Sequence, residues 1–293
     1  MGACVFVIRL LGVVTAAAQD MPAEYKSVLT ALGKTGDFKD GVLKVNIPRG
    51  DLAVTIGGRP APTPFGFGGW VALTKGTNGE VMMGDLVLTE AEVNPVMSAL
   101  LDQGLDVTAL HNHFFGEQPR IFYMHVHGTG TAADLARKLK PAIDVIDSAA
   151  KRAGSAAASG TGTIDGPSLA KIIGQEGEQN GAVYKITMGR PDIDLREHGA
   201  RINARMGLNT WAAFTGSDAD AMVAGDVAML ESEVTGVLKA LRSNGLMVVA
   251  IHHHMTGVTP NVIFLHYYGT GPAQTLARGV RAAVDVLGKP GSR

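Results

Sequence analysis

Two hydrophobic periods alternate along this chain. Val93, Val96, Met97, Leu100 and Leu101 recur at the spacing of one helical face. Thr89-x-x-Glu92 just ahead of them is a capping box, and Gly104 ends the run. Val81 to Leu88 before it is apolar and strand-like. After it, Asp106 to His113 reads as a strand and Arg120 to Gly128 as its hairpin partner. Thr131-x-x-Asp134 then opens a second helix with Leu135, Leu139, Ile143 and Ile146 on one side; Pro141 inside it predicts a kink or a split. Val42 to Ile47 and Val71 to Thr74 are further strand candidates upstream. The order is β-α-β-β-α, the split plan of ferredoxin-like α+β sheets.

The same pattern is written twice. With His252 set against His111, a shift of 141 residues, the chain aligns on itself without a gap from about residue 23 to 152, with roughly a third of positions identical. Trp70 meets Trp211, Asp85 meets Asp226, Glu90 and Glu92 meet Glu231 and Glu233, and Gly128-Thr129-Gly130 meets Gly269-Thr270-Gly271. The expected architecture is two homologous α+β halves related by a pseudo-two-fold axis, 19–150 and 164–293. A Ser/Gly/Ala-rich linker, 151–163, joins them. Residues 1–18 form an apolar run ending in Ala16-Ala17-Ala18, the pattern of a signal peptide cut near Ala18, so the protein is expected to be exported, periplasmic or secreted. The only cysteine, Cys4, lies in that leader, which leaves any metal site in the mature chain with nitrogen and oxygen ligands.

Of 293 residues, 46% are hydrophobic and 18% charged, and the net charge is -1. That balance supports a large core and argues against a nucleic-acid partner held by phosphate neutralisation. No apolar run in the mature chain is long enough to predict a membrane span.

The candidate chemistry is histidine. His111-x-His113 and His125-x-His127 fall on the two predicted hairpin strands, on one face by side-chain alternation. A turn near Pro119 predicts His111 across from His127 and His113 across from His125. The second copy keeps His252, His254 and His266 and has Tyr268 in place of His127. Three imidazoles with an open position are a known catalytic zinc arrangement. Zinc is the leading expectation, with copper, nickel, iron and manganese open. Candidates for acid–base or positioning roles are Glu92, Glu117 and Tyr268. Helix capping is the simpler role for Glu92. The spacing from His113 to Glu117 is similar to a cupin motif, but the second copy has Val258 there and jelly rolls lack such helices. The sheet is apolar on both faces, so the two His-bearing faces are expected to pack together or against the upstream segments, leaving a histidine-lined pocket. The loop 57–69, rich in Gly and Pro, is placed to cover it; its counterpart contains His198.

The stretch from Gly84 to Gly130 and its second version from Gly225 to Gly271, each with its His-x-His pair and terminal Gly-Thr-Gly, resemble the LppY/LpqO family, bacterial domains of unknown function named after mycobacterial lipoproteins. The resemblance implies an exported envelope protein and brings no established reaction. Three readings follow. One is a metal-dependent hydrolase; the alternative is a non-catalytic protein that binds metal or a small-molecule or envelope ligand; the third is a structural envelope module whose histidines only pack.

Overall fold

The computed structural model describes residues 20–153 and 162–289. The expected signal peptide with Cys4, and most of the linker, lie outside these residues.

Each half opens with a helix and a meander of strands. The first half contains α1 (Ala23–Leu32), β1 (Thr35–Lys39), β2 (Val42–Pro48), β3 (Val54–Ile56), β4 (Arg59–Ala61), β5 (Gly68–Gly76) and β6 (Gly79–Thr89), then α2 (Glu90–Asp102), β7 (Asp106–His111), β8 (Glu117–Gln118), β9 (Ile121–Gly130) and α3 (Ala132–Ala153). The second repeats the plan with α4 (Gly166–Ile173), β10 (Gly177–Asn180), β11 (Val183–Gly189), β12 (Arg196–Glu197), β13 (Ala200–Arg201), β14 (Asn209–Gly216) and β15 (Ala221–Leu230), then α5 (Val234–Ser243), β16 (Met247–His252), β17 (Val262–Gly271) and α6 (Ala273–Val284). The main sheets are six-stranded and antiparallel, ordered β1-β2-β5-β6-β9-β7 and β10-β11-β14-β15-β17-β16. In each, the strand after the first long helix is an edge strand and the last strand lies inside it. The sheets are therefore wider than the five-element unit read from the pattern, because the upstream segments join them.

Helices cover one face of each sheet. In the first half Val28, Leu32, Val96, Leu100, Leu139 and Ile143 close over Leu43, Val71, Met82 and Met124. In the second, Leu169, Val237, Leu241 and Val280 do the same over Ile186, Phe214, Val223 and Leu265. The other two faces pack on each other. One shared core joins Val42, Ala72, Val81 and Met83 to Leu195, Met206, Leu208 and Phe264; another joins Phe65, Phe67, Phe114 and Tyr123 to Val183, Ala213, Ala224 and Tyr268. The molecule is a helix–sheet–sheet–helix stack, and the sheet–sheet seam is where the sequence places its histidines.

The halves also clasp one another. The short helical turn Thr63–Phe65, within the loop expected to cover a pocket, packs on β11 and β14; its counterpart Ala204–Met206 packs on β2 and β5. Thr77 N donates to His198 O at 2.8 Å, and Arg59 pairs with Asp220 at 3.1 Å across the halves. Each arm leaves its own sheet to finish the core of the other.

Two expectations change. Helix α3 runs through Pro141 as one element, held by Leu139, Ala142 and Ile143 buried against the sheet. The predicted hairpin register is also shifted. His111 pairs with Tyr123 and Ala109 with His125, while Asp106 is opposite His127, with an irregularity between Val107 and Ala109. The connection does not turn tightly at Pro119. Glu117–Gln118 instead forms β8, which pairs with β3, so the loop is longer than a hairpin turn. A bulge inserts one residue and reverses side-chain parity beyond it. Val107, expected on the histidine face, therefore packs with the helix-side core. The second half repeats the irregularity between Val248 and Ala250.

Glu92 is fixed by a buried clamp that the sequence shows only as a recurring Arg-x-Asp. Arg49 Nη1 lies 2.8 Å from Glu92 Oε2, with side chains 2% and 5% exposed. The same guanidinium donates to Val87 O at 2.7 Å and to Asp51 at 2.8 Å. Glu92 also accepts from Thr89 N at 2.7 Å, as the capping box requires. Arg190 repeats the clamp with Glu233 and Asp192. Removing one partner strands a buried charge, so Arg49→Ala and Glu92→Ala are each expected to lower unfolding free energy by about 3–5 kcal/mol in chemical denaturation. A loss below about 1 kcal/mol, the range of exposed pairs, contradicts a structural clamp.

Candidate metal centre

Six imidazoles meet in the seam between the sheets, and every close inter-half pair is mixed. Ring centroids of His111 and His252 lie 3.8 Å apart, those of His113 and His266 3.5 Å, and those of His125 and His254 4.1 Å. The expected ligand sets, one triplet within each copy, are thus interleaved. His111, His113 and His266 have ring nitrogens within 4.8 Å of one another, as do His111, His125 and His252; a third group joins Asp226 to His252 and His254. These buried His and Asp groups could hold a metal ion.

Strand chemistry explains the convergence. His125 lies on β9 and His266 on β17, both interior strands, so their positions are set by pairing on two sides. His111 and His252 end the edge strands β7 and β16. His113 and His254 lie just beyond those ends and are held by aromatic faces: His113 on Tyr123 at 3.2 Å, His254 on Phe264 at 3.3 Å. Thr108 Oγ1 donates to His254 O at 2.8 Å, tying one edge to the other half.

The hydrogen bonds fix which nitrogen faces inward. Nδ1 of His125 donates to Gly84 O at 3.1 Å, and Nδ1 of His266 donates to Gly225 O at 3.3 Å. Their Nε2 atoms are buried and without a hydrogen-bond partner. Neither ring nitrogen of His111, His113, His252 or His254 has one either. A buried polar atom left unpaired costs about 1–3 kcal/mol. Ten such nitrogens in one place need an explanation. Each neutral ring has one lone pair, so the cluster offers six, and a cation accepting some of them accounts for part of the set. A ligating histidine commonly donates its other N–H to a carbonyl, as His125 and His266 do.

Electrostatics keep these rings neutral. Burial, reinforced in His111, His113, His252, His254 and His266 by neighbouring imidazoles, lowers the pKa of all six; His125 falls to about 4 and His266 to about 3. Two carboxylates border the cluster. Burial pushes Asp85 up to about 8, against the pull of Lys44 and Lys185. Asp226 is also raised by burial and then by Asp85; its Oδ2 is 3.6 Å from His254 Nε2. Lys44 is lowered to about 8, first by burial and then by Lys185. The lysines lie over tryptophans, Lys44 Nζ 4.5 Å from the Trp70 ring and Lys185 Nζ 4.3 Å from Trp211. Like the two aspartates, these lysines recur between the halves. The same 141-residue shift that sets Lys44 against Lys185 is their signal in the sequence.

The remaining predicted residues lie apart from the cluster. His127 points into the seam but contacts Glu197, with Nε2 3.1 Å from Oε1. Tyr268, buried and opposite Ala224, sets its ring edge-on to Phe114 at 5.7 Å in an apolar cluster; it belongs to none of the three groups of potential metal ligands. Glu117 is buried in β8, where its Oε1 accepts from Ile121 N at 3.4 Å and shapes the loop. Glu92 is committed to Arg49 and the helix start, far in role from proton transfer.

In the metal-free chain the sign of the pH dependence follows. A buried imidazole with a lowered pKa contributes stability that is complete above its unfolded value of about 6.5 and lost as pH falls through its folded value. The two raised aspartates act in the opposite sense, Asp85 between about pH 4 and 8. Six imidazoles outweigh two carboxylates, so the denaturation midpoint of the chelator-treated chain is expected to fall steadily from pH 6.5 to 4. A flat or rising midpoint over that interval contradicts the buried neutral cluster.

Two sequence segments, 26–145 and 167–286, match one protein family, described as a Domain of Unknown Function (DUF1259). No curated protein matches the chain. Among solved structures it is similar to the trimeric bacterial microcompartment shell protein PduB, at 12% identity over 87% of this chain and 91% of that one, with a TM-score of 0.23. It is also similar to EtuB from Clostridium kluyveri, at 12% identity over 86% and 91%, with a TM-score of 0.21. With both halves matched, the chain is a tandem member of the DUF1259 domain family.

Proposed function

We propose that this protein binds a divalent metal ion in the seam between its halves, and that the bound metal serves a hydrolytic reaction on a small molecule. The observation that carries metal binding is the inward-facing pair of His125 and His266, each anchored at Nδ1 by a backbone carbonyl and each presenting a buried, unpartnered Nε2. Zinc fits a nitrogen and carboxylate donor set without thiolate, ahead of copper, nickel, iron and manganese.

The potential ligand groups contain three residues each, a number that leaves room for a further ligand in a tetrahedral site. That favours chemistry over a closed structural site. A divalent ion there supplies Lewis-acid polarisation and lowers the pKa of a water molecule. The residues contribute position and exclusion of bulk water: Tyr123 and Phe264 hold His113 and His254 by their faces, and Asp85 presents an unpartnered Oδ1 in the register position beside His125. The depth of the cluster supports the second reading, a non-catalytic metal-binding protein, since His113, His125, His254 and His266 are each no more than 6% exposed.

We extend the proposal to the cell envelope: export with cleavage near Ala18, in keeping with the LppY/LpqO-like motifs, and a β-α-β-β-α unit of ferredoxin-like descent in each half. Chain purified without a histidine tag is expected to carry zinc or a competing divalent metal, and His125→Ala with His266→Ala to lose it, read by elemental analysis. Hydrolysis of esters or phosphoesters that stops with chelator and returns with zinc supports the enzyme; stoichiometric metal without turnover supports the binder. A metal-free wild-type chain that takes up no added metal sinks both.

A further inference from the structure

A second group of donors lies outside the six-imidazole cluster, on one side of the molecule only. His127 Nε2 and Glu197 Oε1 are 3.1 Å apart, with side chains 8% and 7% exposed. Yet His127 Nε2 has no hydrogen-bond partner, and neither does the other carboxylate oxygen, Glu197 Oε2. The two groups touch without the alignment that an N–H···O bond requires. Two ligands bound to one tetrahedral ion at about 2.0–2.2 Å sit roughly 3.4 Å from each other, close to the separation here.

A third donor stands next to them. His198 follows Glu197 in the chain, and its ring centroid is 6.4 Å from that of His127. Its ring is exposed, and sharing an ion with His127 and Glu197 requires that ring to rotate toward them, because the three are not within common ligand distance as placed. His198 is one of two non-glycine residues among those described with a positive φ, at 45°. Such a backbone is uncommon for a non-glycine side chain and is a reason to look for function. Its carbonyl is pinned by Thr77 N at 2.8 Å.

The place is accessible. A cleft of about 490 Å³ is lined by His198, Thr129, Thr77, Asn78 and Glu80. Thr129 shares a strand face with His127, two residues away, so the cleft adjoins the buried pair.

The duplication supplies the control. The positions 141 residues earlier than Glu197 and His198 are Ile56 and Gly57, and the counterpart of His127 is Tyr268. All three donors are therefore absent from the matching place on the other side. A packing requirement of the shared scaffold would be met there too.

We infer that His127, Glu197 and His198 form a second divalent-cation site, separate from the six-imidazole cluster and open to small ligands through the cleft. The inference does not rest on the proposed function, since none of these three residues belongs to the cluster. Cobalt(II) titration of the full untagged chain tests it, with uptake read by equilibrium dialysis and by visible absorption. Glu197→Gln and His198→Asn are each expected to lose one equivalent of cobalt relative to wild type, while His125→Ala with His266→Ala retains that equivalent. Asn tolerates the left-handed backbone at position 198, so its variant decides the matter if Glu197→Gln fails to fold. Wild-type stoichiometry and affinity in a natively folded His198→Asn chain overturns the inference, leaving His127 and Glu197 as an ordinary ion pair. So does wild-type protein whose cobalt is lost entirely with the cluster variant.

Discussion

The structure depends on one constraint: two apolar sheet faces closed against each other have to accommodate a set of imidazoles most of whose buried ring nitrogens have no hydrogen-bond partner. Burial of hydrophobic side chains along the seam provides the driving force for that closure. It also strips six histidines of solvent, holds them neutral and leaves the lone pair of each ring without a hydrogen-bond partner. Such an arrangement is unfavourable unless something accepts those lone pairs. The remaining features of the seam serve the same end. Carbonyls of Gly84 and Gly225 set the tautomers of His125 and His266, aromatic rings hold His113 and His254, and the crossing arms keep the sheets from separating.

Duplication makes this geometry possible. One half alone brings three histidines to an open sheet face. Pseudo-two-fold packing brings six into a shared layer, and two of the three potential ligand groups draw on both halves. The two sides have since diverged at the periphery. One has Tyr268 packed against Phe114; the other has His127 in contact with Glu197 beside an open cleft.

Much of this was legible in one dimension. The 141-residue shift and the helical faces after Thr89 and Thr131 are patterns of spacing that the structure repeats, and six of the seven histidines singled out by the sequence come together in it, His127 standing apart. The pairing register was not. The bulge between Val107 and Ala109 has no marker residue, and the loop's use of Glu117–Gln118 as a strand depends on β3, about sixty residues earlier. The mixing of ligands between halves is likewise a property of sheet packing and not of either repeat. Glu92 shows the limit from another direction. A carboxylate that survives in both copies suggested chemistry beside its capping role, but its partner Arg49, far off in sequence, makes it structural. Lys44 and Lys185 recur at the 141-residue shift, but an isolated lysine in an alternating strand reads as a solvated one.

The most direct measurement is an anomalous-difference map from a native crystal, collected at the absorption edge of the metal found in the protein. The account predicts a peak within about 2.0–2.2 Å of imidazole nitrogens from both halves, in the layer containing His125 and His266. No peak in that layer, or rings turned toward separate surfaces with all metal ligands drawn from one half, contradicts it.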